Sequence, residues 1–249
     1  MRLLVLSDIH ANSTALEACL EVAKGCWEHG VCLGDLVGYG PDPNEVTRRL
    51  RGLPIKTIRG NHDRAACGLA SFEEFNPVAR AAAEWTYGQL EAENRAFLFE
   101  LPRGPLTANG LTFVHGSLHD EDEYVFAPYQ ALEGLLEALS PMTFFGHTHH
   151  QGGFAYERER ESLEVLQLRP RGSERFAALR LTAGKRYLLN PGSVGQPRDG
   201  DPRAAFAIAD LHHQVVEFWR VAYDIEGVQE RMARAGLPET LVLRLSVGR

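Results

Sequence analysis

The sequence predicts an α/β fold in which two packed β-sheets are flanked by helices. Three observations lead there. Short apolar runs alternate with amphipathic stretches over the first third of the chain, the pattern of βαβ units with right-handed crossovers and a largely parallel sheet. From Met142 onward the chain reads as β-rich, with strand-like runs following one another. A length of 249 residues, with 44% hydrophobic and 24% charged content, suffices for a sizeable core, and a single domain over residues 1–249 is expected.

Taken in order, Leu3–Leu6 reads as a buried strand. Residues 12–24 form a helix that places Leu16, Cys19, Leu20 and Ala23 on one face, with Thr14 and Glu17 fitting a capping box. Val31–Leu33 is a second strand, a helix follows Pro43 over Glu45–Arg51, and Ile55–Ile58 is a third strand. The alanine-rich stretch Pro77–Glu100 is helical. Residues 105–114 form two short strands about the Asn109-Gly110 turn, a strong hairpin signal. A helix over Ala131–Leu139 precedes a strand at Met142–Phe145. Further strands are expected at Gly153–Tyr156, Leu163–Leu168, Tyr187–Leu189, Ala204–Ala209 and Val215–Val221. A last helix covers Ile225–Ala235. The charged run Glu157–Glu161 is a solvated hairpin loop, and His212 and His213 sit in a turn.

A net charge of −7 argues against a nucleic-acid-coating protein, which shows a basic face or stripe. A small phosphorylated substrate is compatible with it, because bound metal ions reverse the local field. The four cysteines, Cys19, Cys26, Cys32 and Cys67, have no metal-type spacing and read as reduced, mostly buried thiols of a cytoplasmic protein. The opening MRLLVLSDIH is too short in apolar residues for a secretion signal. No stretch approaches the ~18 apolar residues of a membrane helix, so no membrane partner is expected. The Asn12-Ser13-Thr14 acceptor pattern is then a chance match.

Five clusters follow expected strands: Asp8-Ile9-His10, Gly34-Asp35, Gly60-Asn61-His62-Asp63, His115-Gly116 and Gly146-His147-Thr148-His149. In parallel α/β folds the carboxyl ends of neighbouring strands converge on one crevice. In an extended strand end, residues two apart point the same way, so Asp8 with His10, and His147 with His149, can share a metal. Imidazole mixed with carboxylate and amide oxygen suits Mn, Fe, Zn, Co or Ni better than Mg or Ca. Seven donors (Asp8, His10, Asp35, Asn61, His115, His147, His149) are too many for one ion. They suit two divalent ions sharing a bridging carboxylate, a pair able to clamp the attacking and leaving oxygens of a displacement at phosphorus.

These motifs, Asp8-x-His10, Gly34-Asp35-x-x-Gly38, Gly60-Asn61-His62-Asp63, His115-Gly116 and Gly146-His147-x-His149, resemble those of the calcineurin-like metallophosphoesterases. Asn190–Arg198 resembles a late loop of the small bacterial phosphodiesterases of the YfcE-like group. The resemblance implies a four-layer αββα sandwich of two mixed sheets. It implies a first metal on Asp8, His10, Asp35 and His149, and a second on Asn61, His115 and His147 with Asp35 as bridge. A hydroxide shared by the ions is then the nucleophile, and His62 protonates the leaving group or holds the phosphate, with Asp63 orienting it.

Two divalent ions against two carboxylates leave about +2, and about +1 with the hydroxide, which tilts the reading toward a phosphodiester. Arg198 is a candidate for neutralising a phosphate, and Asn12 a second candidate substrate contact. A phosphomonoesterase or a protein or dinucleotide phosphatase on the same site is the nearest alternative. A non-catalytic scaffold of the retromer-subunit kind is the more distant one, and the intact His62 position argues against it. The expected partner is a small phosphorylated substrate, with substrate choice set by loops such as 64–80, 117–130 and 192–203. Nucleic acid is disfavoured, and a homo-oligomer is compatible with the chain.

Overall fold

The computed structural model describes residues 1–172 and 174–249. Alternation of side chains along the strands decides the layering. Strand β1 (Arg2–Leu6) sends Leu3 and Val5 to one face and Leu4 and Leu6 to the other, all of them buried. It pairs in parallel with β2 (His29–Cys32), which pairs in parallel with β3 (Ile55–Thr57). On its other side β1 runs antiparallel to β11 (Ala204–Asp210), followed by β12 (Val215–Val221) and β9 (Phe176–Arg180). The first sheet is thus mixed, with order β3-β2-β1-β11-β12-β9. The three initial βα units supply its parallel half only.

The second sheet is also six-stranded and mixed, in the order β4-β5-β6-β10-β7-β8. Its strands are β4 (Leu106–Ala108), β5 (Leu111–Phe113), β6 (Met142–Phe144), β7 (Gly152–Glu157), β8 (Ser162–Leu166) and β10 (Lys185–Asn190). Leu3, Val5, Val31 and Leu33 from the first sheet pack against Phe113, Phe144 and Leu189 from the second. The outer face of the first sheet, through Leu4, Leu6, Phe206 and Ile208, is covered by α1 (Ser13–Ala23), α2 (Pro43–Arg51) and α5 (Ala92–Glu100). The outer face of the second carries α6 (Pro128–Glu137), whose Ala131 and Leu135 meet Phe154, Tyr156 and Leu188. This is the expected four-layer αββα arrangement. No helix among the described residues is long and apolar enough to cross a membrane.

Several local expectations change. The cap of α1 is Asn12, whose Oδ1 accepts from Ala15 N at 3.0 Å; Thr14 instead accepts from Arg231 Nη2 at 2.8 Å. The long alanine-rich helix is two, α4 (Pro77–Gln89) and α5. The break comes where Asn44 Oδ1 takes the Glu91 N–H at 2.9 Å. Asn61–Ala66 is a short helix, α3, so the third motif lies in a helical first turn. Strand β9 and a final helix α8 (Glu239–Arg244), after α7 (Ile225–Arg234), are additional elements. Helices α4, α7 and α8 share a small apolar cluster with Tyr39.

Phe113 and Phe144 lie on adjacent strands between the two sheets, parallel at 5.9 Å between ring centroids and fully buried. Phe113→Ala is expected to lower stability by about 3–5 kcal/mol in urea unfolding. Leu139→Ala, at a fully exposed position, should change it by less than ~0.5 kcal/mol. Equal effects at the two positions would contradict this layering.

Candidate metal centre

The loops after β1, β2, β3, β5 and β6 meet at one end of the sandwich, and the structure brings all seven expected donors together there. Ligating atoms of Asp8, His10, Asp35 and His149 lie within 4.8 Å of one another, as do those of Asp35, His115 and His147. Asp35 belongs to both groups. Its Oδ2 is 3.6 Å from His10 Nε2 and 3.4 Å from His115 Nε2. Asn61 Oδ1 is 3.4 Å from His115 Nε2, which places it with the second group.

The backbone achieves this differently from the extended strand ends expected. Asp8, His10, Asp35, His147 and His149 all have positive φ, between 48° and 63°. For residues with a side chain this left-handed geometry costs roughly 1–2 kcal/mol each. Local hydrogen bonds hold it: Asp8 N donates to Gly34 O at 3.0 Å, and His10 N to Asp35 O at 2.9 Å. Close approach is permitted by glycine at position 60, where a Cβ would lie 2.1 Å from Asp35 Oδ1.

Six of the seven donor side chains, all but Asn61, are held by a second contact that fixes their aim. The Nδ1–H groups of His10, His115 and His149 donate to Val37 O (3.1 Å), Leu33 O (2.9 Å) and Gln196 O (2.6 Å). That assigns the tautomer of the neutral rings and turns each Nε2 inward. His147 is reversed: its Nε2–H donates to Asp122 O at 3.1 Å, leaving Nδ1 for the centre. Asp8 accepts from Ser7 Oγ at 2.6 Å and from His147 N at 3.2 Å. Asp35 Oδ1 accepts the His62 N–H at 2.9 Å, one of the free amides that open α3.

The consequence is that His10 Nε2 and His149 Nε2 face each other at 3.0 Å with their protons committed elsewhere. Two lone pairs aimed at one point, beside two buried carboxylates, repel unless a cation lies between them. The donor set therefore fits divalent metal ions, with imidazole favouring the transition metals.

Titration behaviour of the metal-free cage follows the same geometry. Burial pushes the Asp8 carboxyl up to about 6, with the His115 charge working against the shift and Asp35 adding to it. Burial holds His10 and His149 well below the usual imidazole range and takes His147 down to about 3. His115 is the exception, for although burial opposes its charge, the adjacent Asp35 carboxylate lifts it to about 10. Burial likewise opposes ionisation of Asp35, yet His115 holds it well below the usual carboxylate range.

His62 lines an open cleft of about 190 Å³ together with Asn61, His147, Tyr39 and Tyr124. Its ring packs between Tyr39 (4.3 Å) and Phe75 (4.8 Å), and its buried Nδ1 has no hydrogen-bond partner among the described residues. Burial lowers its pKa to about 4. Asp63 does not orient it, contrary to expectation. The Asp63 carboxylate accepts instead from Leu36 N (2.8 Å), Val37 N (3.2 Å) and Gly60 N (3.0 Å), tying the second and third motifs together. Burial pushes its pKa up to about 7.

Asn12 is also reassigned. It is buried, with Oδ1 engaged as the α1 cap and Nδ2 donating to Gly195 O at 3.0 Å, so neither end is free for a substrate. Arg198 is half-buried, and its guanidinium carbon stands 5.5 Å from the Tyr39 ring centroid. His119 and His150 are exposed and outside the cage, as are His212 and His213 in their turn. Sequence reasoning missed Tyr39 and Phe75, which sandwich His62, and Tyr124, which stacks on His147 at 3.9 Å. The only sequence signal for Tyr39 is its place between the two glycines of Gly38-Tyr39-Gly40.

The fold and cage define a metal-binding α/β sandwich with its donors on strand-end loops. Comparison with known proteins makes this specific. The profile of the calcineurin-like phosphoesterase superfamily domain matches residues 1–214, and the chain belongs to that superfamily. It is 35% identical over 251 residues to an uncharacterised protein of Methanocaldococcus jannaschii, covering 98% of this chain and 97% of the relative. The crystal structure of a metallophosphoesterase from Sphaerobacter thermophilus is similar at a TM-score of 0.83 and 42% identity, covering 100% of this chain and 99% of that one. A hypothetical protein from Pyrococcus horikoshii shares the fold at a TM-score of 0.77 and 23% identity, over 100% and 98% of the two chains.

A metal-ligating imidazole must be unprotonated. Of the cage imidazoles only His115 carries a proton well above neutrality, so loading metal-free protein with Mn²⁺ or Zn²⁺ at about pH 8 should release at least about one proton, that of His115, with any ionised metal-bound water adding to it. An indicator dye in weak buffer reads this. The release should be smaller by about one proton in His115→Asn, and proton uptake in the parent protein would contradict the assigned cage.

Proposed function

We propose that this protein is a dinuclear metallophosphoesterase, specifically a phosphodiesterase, acting on a small phosphorylated substrate. The observation that carries the reading is Asp35 Oδ2, which faces both donor groups at once and so suits a bridge between two ions. Asp8, His10, Asp35 and His149 would hold one ion, and Asn61, His115, His147 and Asp35 the other. When bound, such ions supply positive charge to the phosphoryl oxygens and a water acidic enough to attack phosphorus. The imidazole-rich set favours Mn, Fe, Zn, Ni or Co.

The chain's own residues do the rest. His62 is neutral in the free site because burial disfavours its charge. An anionic phosphate brought beside it favours the imidazolium, so the proton needed by the leaving oxygen arrives with the substrate. Packing between Tyr39 and Phe75 fixes the ring, and the unpartnered Nδ1 leaves the proton without a competing acceptor on that side. Only two carboxylates, Asp8 and Asp35, belong to the two donor groups, which keeps the loaded site positive and supports an anionic ester as substrate. A scaffold would have no need for a complete cage with an imidazole poised over its cleft. The free, largely buried thiols are in keeping with a cytoplasmic protein.

Mn²⁺- or Ni²⁺-loaded protein should hydrolyse bis(4-nitrophenyl) phosphate, and Asp35→Asn should lose both metal and rate. His62→Ala should lower kcat by about 10²–10⁴ for a diester with an alkyl leaving group. The loss should be smaller for 4-nitrophenolate, which leaves without a proton. Full activity in excess chelator, or undiminished rates in both variants, would overturn the proposal.

A further inference from the structure

Arg198 lies in the loop after β10, and Arg244 is the last residue of α8, in the part of the chain beyond the superfamily match. Both are half-buried, and both donate to the same acceptor: Arg198 Nη2 reaches Gln196 Oε1 at 3.0 Å and Arg244 Nη1 at 3.3 Å. One amide oxygen cannot neutralise two guanidinium charges. Nearby arginines are treated differently. Arg203 pairs with Asp201 at 2.6 Å, Arg231 with Asp42 at 3.0 Å, and Arg220 with Asp199. Among the described residues neither Arg198 nor Arg244 has a carboxylate partner, and Arg198 Nε and Gln196 Nε2 are buried without any acceptor.

The pair adjoins the cage, since the Gln196 carbonyl holds His149 Nδ1–H. The arrangement is also anchored before any ligand arrives. Leu241 and Leu245 fix α8 in the cluster with Tyr39, Val228 and Met232, and Gly200 N donates to Gly248 O at 2.9 Å, tying the tail to the loop. Two like charges held together at half-burial are unfavourable unless an anion joins them. Planar guanidinium forks match tetrahedral oxyanions by paired hydrogen bonds.

We propose that Arg198 and Arg244 form a subsite for a second phosphate group, so that the substrate is an organic phosphoester carrying a phosphoryl group beside the one that is cleaved. This rests on the phosphoesterase reading and narrows it. A cage of two divalent ions and two carboxylates already balances a singly charged diester to within about one charge. The two arginines add charge that such a diester leaves uncompensated, and a second phosphate supplies the counter-charge.

The test uses two matched substrates with the metal-loaded enzyme, the 4-nitrophenyl esters of thymidine monophosphate and of thymidine diphosphate. The diphosphate ester should have the higher kcat/KM. Arg244→Met should reduce that preference at least about tenfold, chiefly through KM, and Arg244→Lys should restore part of it. Calorimetry with thymidine diphosphate and thymidine monophosphate gives the same comparison without turnover. If neither ester is cleaved, the phosphoesterase reading fails while this binding comparison still decides the subsite. No preference for the second phosphate in either assay, or an equal loss for both ligands in cooperatively folded Arg244→Met and Arg244→Lys, overturns the proposal.

Discussion

The Asp35 carboxylate is the contact on which the rest of this site depends. One oxygen is held by the first amide row of α3, through His62 N at 2.9 Å, and the other faces His10 and His115 across the two donor groups. That single side chain joins β1, β2, β3 and the second sheet at one point. It also dictates its surroundings. Position 60 has no room for a Cβ, and Asp35 itself must adopt a left-handed backbone to present both oxygens. His62 is positioned by the same bond, because its amide is committed to Asp35 while its ring reaches the cleft. The donor cage and the His62 ring are therefore set by one carboxylate.

Such a site is expensive in isolation. Five donors in left-handed conformations, two buried carboxylates and four inward-facing imidazoles all oppose folding when no cation is bound. What offsets them lies one layer away, in the apolar contact between the sheets where Leu3, Val5, Phe113, Phe144 and Phe218 are fully enclosed. The rigid sandwich over-determines the strand ends, so the loops cannot relax outward. Asp63 contributes in the same sense. Its carboxylate collects three backbone amides from two motifs and acts as a brace beneath the site.

The difference between what could and could not be foreseen has a physical basis. Two packed sheets with helices outside were legible because the apolar runs of β1 and β11 and the apolar alternation of β12 are local, and the donor clusters because each is contiguous and follows a strand. Strand β9 escaped notice since its side chains are exposed or half-exposed throughout, leaving little apolar signal. The roles of Asn12 and Asp63 were misread for a different reason. A polar side chain near a motif looks functional until its partners are seen, and both turn out to serve backbone groups. The geometry of the Asp8 and His147 segments was also mistaken. Residue spacing suggested an extended backbone, whereas the convergence comes from left-handed turns, held at Asp8 and His10 by Gly34 and Asp35 in the loop after β2 and at His147 by the Asp8 carboxylate.

Arg244 marks the limit most clearly. Nothing in Glu239–Arg244 announces a link to the cage, and the residue gains one only because α7 and α8 fold back onto α4 and Tyr39. The donor cage and the arginine pair thus have separate origins in the chain. The donors come from the strand ends that define its superfamily, inside residues 1–214. The second arginine comes from a helical extension that packs on Tyr39 and bonds one glutamine, whose backbone carbonyl orients the cage histidine His149 and whose side chain gathers two positive charges. Gln196 is consequently the hinge between the two, and a ligand that engaged the arginines would act on a residue already bonded to the cage.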